Sequence, residues 1–332
     1  VQGFNPAIAG CRIACSALKT LPGNTTLLFI GQPVPPGSVK NREFKMEDTL
    51  AQRLEEVSTA KTFPDGTAYT GITMADTNTL ASEFKIPPRE IDIAALDCDI
   101  VPERYVRNMK SFSVQDQKTL LASRVTVVGT GGLGGTVSET LARIGVGALT
   151  VIDGDCFEES NLNRQLFSTE PLIAQSKAAA AAERIRSVNS TVEVTPHACH
   201  LDDNNALDLI SGSDVTADCL DNLPARFTLQ TASRTAGIPL VSAAVGGQSG
   251  HLTSIFPEDR GLELIFGDPK EAATLKGAEQ SLGNLPYTVT TVAALECAEI
   301  VKILLQKESA LRNRLLIIDL NDYTFETLRL IG

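Results

Sequence analysis

Three stretches of this chain hold side chains whose types and order suit a polyphosphate. The first is Gly129-Thr130-Gly131-Gly132-Leu133-Gly134. The second runs from Asp153-Gly154-Asp155 through Ser160-Asn161-Leu162-Asn163-Arg164-Gln165, with Lys177 further on. The third is Asp218-Cys219-Leu220-Asp221-Asn222. Glycines allow a tight turn and bring backbone N–H groups against a phosphate or ribose, and a helix N-terminus adds a field that favours anions. Asp153 stands where a carboxylate grips ribose hydroxyls after such a turn. Arg164 and Lys177 offer cations, and Asp221 offers a hard oxygen for Mg²⁺. A nicotinamide dinucleotide explains the glycines and Asp153 but leaves that Arg, Lys and carboxylate idle, whereas ATP with Mg²⁺ uses all of them. No Gly-Lys-Ser/Thr follows the glycines, so the turn is not a Walker A loop.

Each residue also has a plainer role. Arg164 and Lys177 suit a solvated surface. Asp221 suits the N-cap of the helix expected at 224–236, and Asn222 suits it equally. Taken together beside the glycine turn, the residues favour a site.

The elements that must position them alternate. Val125–Val128 reads as a strand, followed by the glycine turn and a helix over 133–144. Strands are expected at 149–152, 191–199, 215–219 and 239–244, with helices at 175–188 and 224–236 between them. A long apolar helix over 287–305 and strand over 315–330 follow. This pattern predicts an α/β fold: a Rossmann-like, mostly parallel sheet with helices on both faces and a C-terminal antiparallel extension. Ligands of such sheets bind beyond the carboxyl ends of the strands. Gly129–Gly134, Asp153–Asp155 and Asp221 all fall at that edge and are expected to converge.

The first hundred residues read differently, as a small N-terminal α+β appendage with its boundary near residue 103. A strand is expected at 26–30, a loop at 31–37, a helix over 44–57 from Met46, Leu50, Leu54 and Val57, and turns over 62–72. Residues 79–84, the break at Pro87-Pro88 and a helix over 89–96 resemble a DNA-reading unit in outline. The acidic charge disfavours that reading.

The 332 residues carry a net charge of −11, with 43% hydrophobic and 21% charged residues. That balance is globular. The charge argues against nucleic acid and anionic membranes as partners. Aromatics are 5% with no Trp, so the core must come from Ala, Val, Ile and Leu. No apolar run reaches the ~20 residues of a membrane span. The start, Val1-Gln2-Gly3-Phe4, lacks the layout of a secretion signal and an initiator Met, which implies residues before it. Seven Cys without a Cys-x-x-Cys pair suit reduced thiols and a cytoplasmic location. Cys219 and Cys297 are expected in the core. Cys156 lies near the nucleotide loop. His197, Cys199 and His200 crowd together, but strand alternation turns 200 away from 197 and 199.

The run Arg124 to Gln165, with Gly-x-Gly-Gly-Leu-Gly, Ile-Asp-Gly-Asp and Ser-Asn-Leu-Asn-Arg-Gln, resembles the ThiF/MoeB/HesA family, whose fold is shared by ubiquitin-activating enzymes. The resemblance continues through Lys177, Leu220-Asp221-Asn222-x-x-x-Arg226 and Pro239-Leu240-Val241-Ser242, and covers about residues 104–330. Arg104-Tyr105-Val106-Arg107-Asn108 matches the family's opening motif. The resemblance implies that Gly129, Gly131, Gly132 and Gly134 form the nucleotide turn. It implies that Asp153 binds the ribose, that Asn161, Arg164, Gln165 and Lys177 handle phosphates, and that Asp221 binds Mg²⁺. Asp155, Leu220 and Asn222 join the nucleotide-binding set. Arg107 would reach across a homodimer into the partner's site. The implied activity is ATP- and Mg²⁺-dependent adenylylation of a carboxylate, usually the C-terminal glycine of a small sulfur-carrier or ubiquitin-like protein. Alternatives are activation of a peptide or modified-tRNA carboxylate on the same fold, an NAD-dependent oxidoreductase, and an inactive scaffold. Two departures matter. The two Cys-x-x-Cys pairs that hold a structural zinc in several members are absent, so zinc is not expected. The stretch from His251 to Gly283 has no Cys, so a covalent intermediate on that loop is not expected.

Overall fold

A computed structural model describes residues 49–272, 279–309 and 311–330. The strand expected at 26–30, the loop at 31–37, Met46 with the start of its helix, and Cys11 and Cys15 lie outside the described residues. The chain divides into two compact units, Val1–Val114 and Gln115–Gly332.

In the first unit, helix α1 (residues 49–57) turns Leu50 and Leu54 inward. The expected turns over 62–72 need correction. Strand β1 (Thr59–Thr62) and strand β2 (Ala68–Ile72) form an antiparallel hairpin. Its turn confines Pro64 and Gly66 to the tip, Gly66 at φ 87°, and leaves the β-formers Thr62, Tyr69 and Thr70 to pair. Helix α2 (Met74–Phe84) starts at Thr73, whose hydroxyl accepts the Asp76 N–H at 3.2 Å. Pro88 sits in the first turn of helix α3 (Pro88–Asp97), where a missing N–H costs nothing. Strand β3 (Ile100–Pro102) runs parallel to β2. Leu54, Ile72, Leu80, Ile91, Ala95 and Ile100 make the core.

One acid is enclosed within this unit. Asp92 is fully buried, takes the Thr77 hydroxyl at 3.1 Å through one oxygen, and has no hydrogen bond at the other. Burial pushes its pKa up to about 6, against the pull of Arg104 and the Thr77 hydrogen bond. Folding therefore raises this pKa, so the contribution of Asp92 to stability is full below about pH 4 and is lost as pH rises through about 6. Asp92→Asn is expected to flatten stability between those values and to add about 1–3 kcal/mol at pH 7. Denaturant melts of both proteins at pH 4.5 and 7 check this, and a parallel pH dependence would refute it.

In the second unit, helix α4 (Val114–Ala122) leads into strand β4 (Arg124–Val128), a run buried from Val125 onward. Helix α5 (Gly132–Ile144), strand β5 (Ala148–Ile152), helix α6 (Lys177–Val188) and strand β6 (Glu193–His197) follow. Then come helix α7 (Ala206–Ile210), strand β7 (Val215–Asp218), helix α8 (Leu223–Ala236) and strand β8 (Leu240–Gly246). Strand β9 (Ser249–Ile255) was not legible in the sequence, because its Ser, Gly, His and Thr break any apolar run. Short helices α9 (Glu263–Phe266), α10 (Pro269–Ala272) and α11 (Glu279–Leu282) precede the long helix α12 (Pro286–Leu304). The expected strand over 315–330 is a hairpin of β10 (Arg314–Asp319) and β11 (Thr324–Arg329).

The eight strands form one sheet in the order β11-β10-β9-β8-β7-β4-β5-β6. From β6 to β8 every pairing is parallel; β9, β10 and β11 add on antiparallel. Helix α5 packs against both α6 and α12, and α7 and α10 pack on α8. Val128, Ile152, Phe227, Leu229 and Leu240 anchor the α8 side of the core. The expected α/β architecture, with its antiparallel extension, is the one observed. The chain order reverses between β4 and β7, which pair with Val128 beside Asp218. Loops leaving those two strand ends therefore start side by side and diverge, which opens a crevice between them. No helix among the described residues is long and apolar enough to cross a membrane.

Candidate functional site

The glycine turn closes by exclusion. Gly129 adopts φ 87°, and a Cβ there would lie 2.7 Å from the Cys219 carbonyl oxygen. A Cβ on Gly134 would lie 1.7 Å from the Gly129 carbonyl oxygen. Only glycine lets α5 start this close to β4. Asp153, leaving β5, braces the turn: one oxygen accepts the Thr130 N–H at 2.7 Å and the Thr130 hydroxyl at 3.1 Å, and the other accepts the Asp155 N–H at 2.9 Å. Gly131 is the N-cap of α5 and brings no capping side chain. The first-turn amides of a 13-residue helix thus face the crevice with no side-chain acceptor.

A cavity of about 1090 Å³ opens there. Gly129, Gly131, Gly132, Asp153, Asp155, Arg164, Gln165, Lys177, Leu220, Asp221 and Asn222 all line it. These residues come from the three connections that follow β4, β5 and β7, and the fold brings them together. Gly134 and Asn161 do not line it. Gly134 packs beneath the turn. Asn161 is buried, and its side chain accepts the Glu158 N–H at 3.0 Å in a reciprocal cap that staples the loop. Arg107 is exposed and belongs to the first unit.

The cations sit differently from one another. Lys177 is only 7% exposed and donates to Asp155 Oδ2 at 2.9 Å. It is not a solvated surface charge. Arg164 is half-buried; one guanidinium nitrogen donates to the Ser160 carbonyl and to Asn163 Oδ1, both at 2.9 Å. Gln165 is buried, and its Oε1 has no hydrogen-bond partner. The N-cap of α8 is Asn222, whose Oδ1 accepts the Ala225 N–H at 2.9 Å. That leaves the exposed Asp221 carboxylate with a single long contact, from Asn222 Nδ2 at 3.4 Å.

Beneath the 219–222 loop lies a network that sequence reasoning did not single out. Asp218 is fully buried, and its Oδ2 takes Arg226 Nη1 at 3.1 Å and the Ser242 hydroxyl at 2.6 Å. Arg226 also donates to the Leu220 carbonyl. Arg226 closes the motif Leu220-Asp221-Asn222-x-x-x-Arg226, which was the available signal. The Cys219 thiol donates to Glu296 Oε1 at 3.5 Å. Burial, then Asp218, holds the Glu296 carboxyl well above its usual range. Burial, with Glu296 and Asp218 beside it, raises the Cys219 thiol likewise. That thiol stays protonated and unreactive at neutral pH. Cys297 is buried, as expected, and burial raises its thiol too. Cys156 is exposed. His251 faces the cavity beside Phe266, with ring centres 5.8 Å apart, and burial pushes its pKa down to about 4. His200 reaches toward Asp155 at 3.9 Å. No group of three His, Cys, Asp or Glu among the described residues is arranged to hold a metal.

The donors fit a polyphosphate: a buried ammonium, a guanidinium and an uncapped helix N-terminus converge. The metal side is compatible with Mg²⁺, which takes one or two carboxylates and fills its shell with phosphate oxygens and water. Asp221 is an exposed carboxylate on the cavity wall and would be such a ligand.

The sheet order, the excluded-Cβ turn and a crevice at the strand reversal define a doubly wound α/β protein built around a glycine-turn pocket. The chain belongs to the ThiF family, whose model matches residues 105–332. It is 38% identical over 229 residues to the SAMP-activating enzyme E1 of Haloferax volcanii, covering 68% of this chain and 84% of that protein. It is 35% identical over 289 residues to the adenylyltransferase and sulfurtransferase MOCS3 of Bos taurus, covering 86% of this chain and 61% of that one. The chain thus spans about three-fifths of that longer relative. Among solved structures, E. coli MccB with ATP has a TM-score of 0.58 at 21% identity, covering 76% of this chain and 82% of that chain. This likeness shows the shared fold.

Proposed function

We propose that the chain is an ATP- and Mg²⁺-dependent adenylyltransferase that activates the C-terminal glycine carboxylate of a small ubiquitin-like or sulfur-carrier protein. One observation carries the reading: Lys177, Arg164 and the uncapped start of α5 surround a single crevice at the strand reversal. The names of the relatives, an E1 and an adenylyltransferase, support it. A dinucleotide redox reaction would leave both cations without a task.

The acid substrate is ionised at neutral pH, so no general base is needed. Its carboxylate oxygen forms a bond to the α-phosphorus of ATP. The bond from that phosphorus to the bridging oxygen breaks, and its electron pair leaves with pyrophosphate. Both reactants are anions, so the work of the protein is positioning and charge neutralisation. Asp153 holds the turn and has a lone pair left for ribose. Lys177 and Arg164 take phosphate charge. Asp221 would hold Mg²⁺, which supplies further charge neutralisation. Residues 104–332 carry this chemistry in the reading; residues 1–103 remain an appendage without an assigned role. Arg107 would serve a partner subunit in a homodimer. With no Cys from His251 to Gly283, the acyl-adenylate passes to an external thiol or enzyme.

The test is direct. A carrier ending in Gly-Gly, incubated with the protein, ATP and Mg²⁺, is expected to gain the mass of an adenylyl group (AMP less one water) and to support ATP–pyrophosphate exchange. NAD binding without any exchange would overturn the reading.

A further inference from the structure

We infer that Asn284 is a positioning residue for the acid substrate, accepting a main-chain N–H from its C-terminal tail. The inference rests on the adenylylation reading and deepens it.

Asn284 lines the cavity, yet its Oδ1 is shielded from bulk water and has no hydrogen-bond partner. A buried acceptor left unpaired costs about 1–3 kcal/mol, so its place in a cavity wall calls for a donor. The oxygen itself is enclosed, and the carboxamide torsion is soft, so a rotation about it is the movement that contact with a ligand requires. The backbone beneath it is firmly held. Asn163 Nδ2 donates to the Asn284 carbonyl at 3.3 Å, Gly247 N–H donates to Gly283 at 2.8 Å, and Gly247 and Asn284 form a β-bridge. Helix α12 starts two residues later, at Pro286.

The topology narrows which substrate brings the donor. Gly247 follows β8, whereas the ribose-facing Asp153 follows β5, and the order β8-β7-β4-β5 separates them by three strand spacings. At ~4.8 Å each, that is roughly 14 Å. Ribose hydroxyls held at Asp153 do not reach Asn284 and ionised phosphates donate nothing, which leaves the adenine amine and the substrate peptide as donors; the KM for ATP in Asn284→Leu separates the two. On the β8–β10 side the cavity is lined by Gly246, Leu282, Val289 and Ile317 together with Ser249 and His251. Gly250 lines the same cavity, and its missing Cβ lets β9 lie close on α12, since a Cβ there would be 2.5 Å from Val292. An extended peptide offers an N–H about every second residue along one edge, which suits an acceptor at the β8 side of the cavity.

The experiment uses peptides ending in Gly-Gly and two depsipeptide versions, each replacing one of the last two N–H groups by an ester oxygen. In the wild type, one of the esters is expected to raise the KM for peptide roughly 3–10-fold, in line with a neutral hydrogen bond, with kcat within about twofold. Asn284→Leu is expected to show that higher KM with the all-amide peptide, no further ester penalty, and an unchanged KM for ATP. Asn284→Asp keeps the acceptor and is expected to keep the ester penalty, which separates a lost contact from a misfolded loop. Equal ester penalties in the wild type and Asn284→Leu would overturn the inference while leaving adenylylation intact. A wild type that activates neither the peptides nor a carrier would overturn the adenylylation reading, and this inference with it.

Discussion

Replacing Lys177 with alanine is expected to slow ATP–pyrophosphate exchange by about 10²–10³-fold, as does removal of other preorganised contacts to a charge-developing transition state. Arg164→Ala is expected to fall in the same range. Both changes are clean in structural terms. Lys177 has its ion pair with Asp155, which is more than half exposed and can return to water. Arg164 holds only its own loop, through Ser160 and Asn163. Neither variant should lose much stability, so the melting temperature should shift by no more than a few degrees while the rate collapses. The split between kcat and KM carries further information. Lys177 is pre-aimed by burial and should act mainly on kcat. Arg164 is half-buried and should affect both. A Lys177→Ala protein with unchanged exchange would sink the placement of phosphate beside it.

The second large effect is on stability. Asp218→Ala is expected to destabilise the second unit by about 3–5 kcal/mol, because it strands Arg226 in a dry site. Side-chain exposure is 0% for Asp218 and 5% for Arg226, so water cannot compensate either partner. Ser242 loses its acceptor at the same stroke. Arg226→Met should cost a similar amount and should also free the Leu220 carbonyl, loosening the loop that carries Asp221. The double change Asp218→Leu with Arg226→Met should recover much of the loss, since a buried pair is often replaceable by apolar residues. Chemical denaturation of the three variants decides the matter. Single variants within about 1 kcal/mol of the parent would show that the pair is not sealed as described.

Much of the fold was written in patterns that depend on neighbours along the chain. The run Val125–Val128 is buried on both faces of the sheet, so it needs no alternation and reads as a strand. The Ala run in α6 and the glycines before α5 are equally local signals. Strand β9 is different. Ser249, Gly250, His251 and Thr253 become a strand because β8 and β10 flank them, and that pairing is invisible in the residues themselves. The hairpin over 59–72 was hidden for another reason: its turn residues, dense in Pro and Gly, outweighed the short β-forming arms.

The site shows the same division. Its glycine turn, Asp153, Arg164, Lys177 and Asp221 were legible because their chemistry is distinctive at those spacings. The choice between Asp221 and Asn222 as cap was not, since both side chains suit that position and only the loop path decides. Asn161 sits in the most distinctive motif of the chain, yet its carboxamide is turned inward to staple the loop. Asn284 gave no sign at all. Its significance comes from an oxygen left without a donor, which is a property of packing and not of composition.

The braced turn between β4 and α5 has one more consequence. Its shape is dictated by clashes that glycine alone avoids and by a carboxylate already in place, so nothing in the backbone there has to freeze when a ligand arrives. Affinity at this cradle is therefore not taxed by ordering entropy. On the proposed function, an incoming phosphate at Lys177 has instead to displace an anion already there, the Asp155 carboxylate 2.9 Å away.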